Sequence, residues 1–392
     1  MAVMQALKDP LGWWCTMERP LARLPRRGAV ALLLGLAAAL ALAAATASAP
    51  PPPREHDDAQ EATGESGPRK HGDLALYHRI ADRVDAGEDY YIAATDEHRA
   101  ASYPTIPFVT VRLPTLYWIH KLVGEKGLQI LGWLVLLATV LAWERKLAPR
   151  TNLAERTFAA ICLFMSATTV FTPHVLLMHD IPAGLLLSLA MGLYHRRVWW
   201  PALLVAGAAI FIREIAAPFV LLWLAFALAE RRWREAGAIA ALLVVFAVAL
   251  FFHAQAVEAV RLPSDQHSPG WTGMLGVDWV LQSLSRLTPL LFLPPAWAAP
   301  LALLPLFGWL GLGGHTGAFA VLFFAGMGLA MALFARVENY YWVMLVLPVY
   351  AVGLALVPRA LFETLIALRQ KIGSSGEEAV PARSPAQPPD KV

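Results

Sequence analysis

Charge is what this sequence has least of. Asp, Glu, Lys and Arg make up 16% of its 392 residues, while 57% are hydrophobic. Soluble domains carry roughly 25% charged residues, so a chain this poor in charge cannot face water on all sides. Cysteine is nearly missing as well. Cys15 and Cys162 alone exclude a disulfide scaffold and a thiolate metal site. The histidines lack the spacing of a zinc site, so no residue is assigned to a metal. There is no internal repeat, and no nucleic-acid partner is expected. The apolar runs also lack charge in their middles. Ion-coupled transporters place ionisable groups near the membrane midplane, and this sequence offers none there.

What is present is a succession of apolar runs bounded by charge. They lie near 28–49, 127–143, 157–172, 181–194, 198–212, 215–229, 236–252, 293–312, 317–335 and 340–357. At roughly 20 residues per span, these predict an all-α polytopic membrane protein with about ten transmembrane helices. The first run ends in Ala-Ser-Ala, which resembles a signal-peptide cleavage site. A signal h-region is only about 7–15 residues long, and this run follows a basic leader at 1–27, so it reads as a retained anchor. Residues 50–126 form a large loop, 127–365 a multi-span domain, and 366–392 a disordered tail. Residues 50–72 are Pro-rich and then polar, a composition with little to bury.

Lys and Arg set the orientation. The loops 144–156, 195–197 and 230–235 hold nine of them, whereas the opposing turns 173–180, 213–214 and 336–339 hold only Arg213 and Arg336. Summed by side, the formal charge is +9 against −6, which returns the net +3 of the whole chain. Both termini are therefore expected in the cytoplasm and the 50–126 loop outside. An Ala-, Leu- and Arg-rich composition points to a bacterial plasma membrane.

Polar chemistry collects on the outer side. The runs 181–193 and 198–212 would make helices about 20 and 22 Å long at 1.5 Å per residue, short of a hydrocarbon core of roughly 30 Å. Asp180, Arg213 and Glu214 would then lie below the outer lipid surface, either as a structural ion pair or facing a watery cavity. In GDLALYHRIADRVDAG, Leu74, Tyr77, Ile80, Ala81 and Val84 recur at helical spacing. The segment predicts an amphipathic helix lying on the membrane surface, with Asp73 at its start, where a carboxylate can also cap free N–H groups. A second surface stretch runs to Ala101, followed by the Pro-rich SYPTIPFVTVRLPTLYW with Arg112. Further along the chain, His267 and Trp271 stand in an outer segment. Arg336, Asn339 and Tyr340 follow the ninth run; Tyr341 and Trp342 read as membrane-belt residues. A guanidinium binds phosphate bidentately, and an amide can read sugar hydroxyls.

One span, a long outer loop with surface helices, then many short-looped spans: this order resembles the GT-C superfamily of integral membrane glycosyltransferases, which use polyprenyl-phosphate sugars. Asp73-x3-Tyr77, Gly87 and Tyr90-Tyr91 resemble the first-loop pattern of its bacterial polyprenyl-phosphate-mannose-dependent members. The resemblance implies a hexosyl or pentosyl transferase with Asp73 as general base and a glycan or lipid as acceptor. It makes Tyr77, Tyr91, Arg112, Asp180, Arg213, Glu214, His267, Trp271, Arg336, Asn339 and Tyr340 the candidate substrate or phosphate contacts. Members often carry the acid soon after the first span, whereas Asp73 comes 24 residues after Ala49. Asp57, Asp58, Asp96 and Glu97 are its rivals. Cofactor use stays open, because carboxylates alone do not distinguish bound Mg²⁺ from none. Two other classes stay open too: a lipid or polysaccharide transporter, and a ligase or acyl- or phosphotransferase working on a lipid carrier.

Overall fold

The computed structural model describes residues 19–47 and 72–369. Most of the basic leader, Cys15, the spacer with Asp57 and Asp58, and the tail from residue 370 lie outside the described residues. Regular structure among the described residues is helical, with β pairing confined to isolated bridges at Ile106–His267 and His195–Val198. The helices are α1 (Arg26–Thr46), α2 (Asp73–Asp85), α3 (Tyr90–Ala100), α4 (Thr115–Leu147), α5 (Leu153–Ser166), α6 (Asp180–Leu193) and α7 (Trp200–Ile212). After them come α8 (Ala217–Ala229), α9 (Trp233–Ala259), α10 (Gly276–Arg286), α11 (Pro295–Leu312), α12 (Gly314–Phe334), α13 (Leu347–Tyr350) and α14 (Val352–Arg369).

This is a multi-pass membrane protein. Among the described residues six helical stretches are long and apolar enough to cross a bilayer: Arg26–Thr46, Phe108–Leu147, Trp233–Ala259, Pro295–Leu312, Gly314–Phe334 and Leu347–Arg369. The apolar helices α6, α7 and α8 are shorter, with 14, 13 and 13 residues, or about 20 Å each at 1.5 Å per residue. Each predicted run overlaps a helix among the described residues, although boundaries shift where local chemistry intervenes. The run at 157–172 stops being α-helical at Ser166, whose hydroxyl turns back to the carbonyls of Cys162 and Leu163. Two 3₁₀ turns continue from there to Leu177. The run at 340–357 is likewise divided. Val337–Leu345 is 3₁₀, and Pro348, which has no N–H to give, sits in the first turn of α13. Helix α14 then continues to Arg369, so residues 366–369, read from sequence as part of the tail, are helical.

Two sequence patterns explain the loop face. Helix α2 buries Tyr77, Ile80, Ala81 and Val84, as its spacing predicts, but Leu76 joins that stripe where Leu74 was expected, and Leu74 is half-buried. Within α4, Gly124 has φ 68° and ψ 177°, which a side chain would resist. That break separates residues 115–123, where Trp118 and Leu122 are exposed, from the membrane-crossing part of the helix. Inside the bundle, tryptophan donors settle on backbone carbonyls: Trp143 Nε1 reaches Ser188 O at 2.9 Å and Trp309 Nε1 reaches Tyr350 O at 3.0 Å. Their rings meet edge-on at 5.3 Å.

Candidate functional site around Asp73

Asp73 opens the first turn of α2, where the exposed N–H end of a helix favours negative charge. Its carboxylate does not cap that helix among the described residues. Oδ1 accepts the Tyr103 hydroxyl at 2.7 Å and Oδ2 accepts the Tyr341 hydroxyl at 2.8 Å. A carboxylate offers about four lone-pair directions, so two phenols fix its plane and leave capacity for a third donor. The residue is half-buried, not sealed in. Burial, followed by the nearby Asp73 charge, pushes the Tyr103 hydroxyl well above its usual pKa, so it stays protonated and donates.

One helical turn from Asp73, Tyr77 begins a continuous polar line into the bundle. Its hydroxyl accepts from Arg112 Nε at 3.2 Å, and Arg112 Nη1 donates to Glu214 Oε1 at 3.3 Å. The same Glu214 oxygen takes Arg213 Nη1, while Arg213 Nε reaches Asp180 Oδ1 at 3.0 Å. Tyr90 pins the lead-in of α4 by donating to the Arg112 carbonyl at 2.5 Å. The ring of His179 packs against Tyr77 and Tyr117 at 5.1 and 5.3 Å. Burial is the main reason the Tyr77 hydroxyl titrates above its ordinary range, with Arg112 opposing it.

Five of the predicted residues, Tyr77, Arg112, Asp180, Arg213 and Glu214, thus share one network with the turn that carries Asp73. Their charges balance, two guanidinium groups against two carboxylates, and the Arg213 side chain is 1% exposed. Such geometry fits the structural ion pair better than a phosphate clamp, although Arg213 Nη2 is buried without a hydrogen-bond partner among the described residues. Arg112, 14% exposed, stands nearer the surface.

The other predicted residues lie apart from this line. Tyr91 is 3.3 Å from His253 Nδ1, and His253 Nε2 lies 3.0 Å from the Val111 carbonyl. His267 is exposed and bridges to Ile106, and neither it nor Trp271 makes a polar contact with the Asp73 network among the described residues. Asn339 serves its own backbone, accepting the Arg336 N–H at 3.1 Å. Arg336 Nε is buried without a hydrogen-bond partner among the described residues. Tyr340 is exposed, its ring 5.8 Å from that of Tyr341. The rivals Asp96 and Glu97 belong to an ion-pair ladder with Arg83, Arg79 and Arg99, which ties α2 to α3.

Sequence reading missed Tyr103 and Tyr341 as partners of Asp73. The available signal was burial: a tyrosine that loses water almost always finds a hydrogen-bond partner, whereas a belt residue keeps its hydroxyl at the interface. Among the described residues no group of His, Cys, Asp and Glu has the arrangement of a metal site. In comparisons with known proteins, the chain matches no family model, no curated protein and no solved structure.

Proposed function

We propose that this chain is a membrane glycosyltransferase that moves a sugar from a polyprenyl-phosphate donor to a glycan or lipid acceptor at the outer face of a bacterial plasma membrane. About ten helices span the bilayer in this reading, the short ones included, with both termini in the cytoplasm. Asp73 takes the proton from the acceptor hydroxyl as that oxygen attacks the anomeric carbon. The bond from the anomeric carbon to the phosphate oxygen breaks, polyprenyl phosphate leaves with the electron pair, and the anomeric configuration inverts. A sugar hydroxyl is a weak nucleophile until a positioned base accepts its proton. The leaving phosphate needs cationic help, for which Arg112 and Arg336 are better placed than Arg213.

The observation that carries this reading is the hold on Asp73. A half-buried carboxylate at a helix start, oriented by phenols from two distant segments, is what a general base requires. Plain helix capping does not require it. The transporter reading draws on one feature, the buried Asp180–Arg213–Glu214 cluster. Those residues stand where α6 begins and α7 ends, not in the middle of a span.

The test is turnover in nanodiscs containing a polyprenyl-phosphate sugar, followed by mass spectrometry of the lipid and of an added acceptor. Wild type should consume the donor, and Asp73→Asn should reduce transfer at least 1,000-fold at unchanged melting temperature, roughly the yield of a general base together with its orientation. Full activity in Asp73→Asn removes the base. Movement of an unmodified glycolipid across the bilayer, without chemistry, would establish transport instead.

A further inference from the structure

A hollow beside the loop that carries Tyr103 is lined by none of the residues of the Asp73 network. It is a cavity of about 330 Å³, framed by residues 105–108, the last turns of α9 and Asp265. That is the lower end of the roughly 300–1,000 Å³ typical of small-molecule sites. Phe108 supplies an aromatic wall, while Gln255, Glu258 and Arg261 line it with polar groups.

Three features narrow what it would hold. The first is height. Helix α9 starts at Trp233, and the 22 residues to Gln255 rise about 33 Å at 1.5 Å each, beyond a hydrocarbon core of roughly 30 Å. The polar rim therefore stands at the level of head groups and water, where a lipid tail gains nothing. The second is charge. Arg99 grips Asp265 with Nε at 2.7 Å and Nη2 at 3.1 Å, and this hold, more than any other contact, keeps the carboxyl at about 2. Glu258 is matched by Arg261, whose Nη1 lies 3.0 and 3.1 Å from its two oxygens. Each carboxylate of the lining is thus already matched by a guanidinium, Arg99 from outside the cavity wall and Arg261 within it, so the site suits neither a phosphate nor a metal cation. It still offers amide, carboxylate and guanidinium groups to hydroxyls, and an aromatic face to a C–H surface. The third is position. Thr105, in the wall of the cavity, follows two residues after Tyr103, whose hydroxyl holds Asp73.

We propose that this cavity is a saccharide subsite that seats the acceptor glycan beside Asp73. As an acceptor site it rests on the glycosyltransferase reading; as a saccharide site it does not.

The test is saturation-transfer NMR on the full chain in nanodiscs. The probes are methyl α-mannopyranoside, methyl β-glucopyranoside and methyl α-arabinofuranoside, with phosphocholine as control. Transfer to at least one glycoside, and none to phosphocholine, is expected. Gln255→Ala combined with Glu258→Ala, both exposed positions, should weaken binding tenfold or more without changing the melting temperature. Gln255→Trp, which fills the mouth, should do the same. Asp73→Asn should bind the glycoside as wild type does while failing to turn over. No transfer to any glycoside, or transfer that both rim variants leave unchanged, overturns the subsite even if donor turnover is robust. Binding that depends on Gln255 and Glu258 in a protein that consumes no polyprenyl-phosphate sugar keeps the saccharide site and removes the transferase reading.

Discussion

Replacing Arg213 by methionine separates a structural guanidinium from a ligand-binding one. Arg213 is the partner of Asp180 at 3.0 Å, and each side chain is 1% exposed. Glu214 has a second cation, Arg112, at 3.3 Å. Arg213→Met therefore strands Asp180 as a buried unpaired carboxylate but leaves Glu214 with a partner. Breaking a buried pair from one side costs about 3–5 kcal/mol, whereas replacing both members by apolar groups is often close to neutral. The single variant should melt roughly 6–10 °C lower, at about 2 °C per kcal/mol for a chain of this size. Arg213→Met with Asp180→Leu removes the stranded charge and leaves Arg112 and Glu214 as a neutral pair, so most of the loss should return. The assay is intrinsic tryptophan fluorescence during heating in nanodiscs, read as a double-mutant cycle with Asp180→Leu alone. A double variant no more stable than the sum of the singles refutes the pairing argument. Unchanged melting in Arg213→Met, with a raised donor KM, would instead return Arg213 to the phosphate.

Three further outcomes are expected. Tyr341→Phe and Tyr103→Phe each remove one charge-assisted bond to Asp73, worth about 1.5–3 kcal/mol. Each should lower kcat roughly 10–100-fold with little change in KM, and unaltered kcat would show that the phenols do not position the base. Gly184→Ala places a Cβ 2.0 Å from the Met344 carbonyl oxygen, so the Val337–Leu345 segment must shift with Tyr341 on it. Melting temperature and turnover should fall together, and a fully active, stable variant would contradict that contact. His98 is buried, and desolvation holds its imidazole down at about 4 against 6.5. The unfolded chain takes up the proton first, so stability is full above about pH 6.5 and is lost as pH falls toward 4, by about 3 kcal/mol in all. His98→Gln should flatten that slope in melting curves taken between pH 7.5 and 4.5, and an unchanged slope would assign it to other groups.

The residues differ in how far each could be read from sequence. Tyr77, Ile80, Ala81 and Val84 were legible as the buried face of α2 because a helix repeats every 3.6 residues and burial needs only that repeat. Asp180, Arg213 and Glu214 were legible as a problem: charges flanking helices too short for the bilayer must find partners. Which partner each found was not legible, since Asp180 could have faced a cavity as readily as Arg213. Asn339 shows the opposite limit. An amide that suits a sugar hydroxyl suits the Arg336 N–H equally well, and only local backbone geometry decides between them. Helix α10 carries too few apolar residues to register as a span, although its apolar face is buried.

Composition and hydropathy patterning by themselves determined that the chain lives in a membrane, where its apolar helices fall and that Tyr77, Ile80, Ala81 and Val84 of α2 turn inward. Those properties follow from the transfer free energies of nearby side chains and need no knowledge of distant ones. Tertiary structure alone decided that Asp73 is gripped from both sides, because its phenols come from 30 and 268 residues away. It also decided that Arg213 is held by Asp180 and Glu214 and that a hollow opens between residues 105–108 and the end of α9. Hydrogen bonds and ion pairs act over a few ångströms in space, and the fold chooses which distant residues come within that reach.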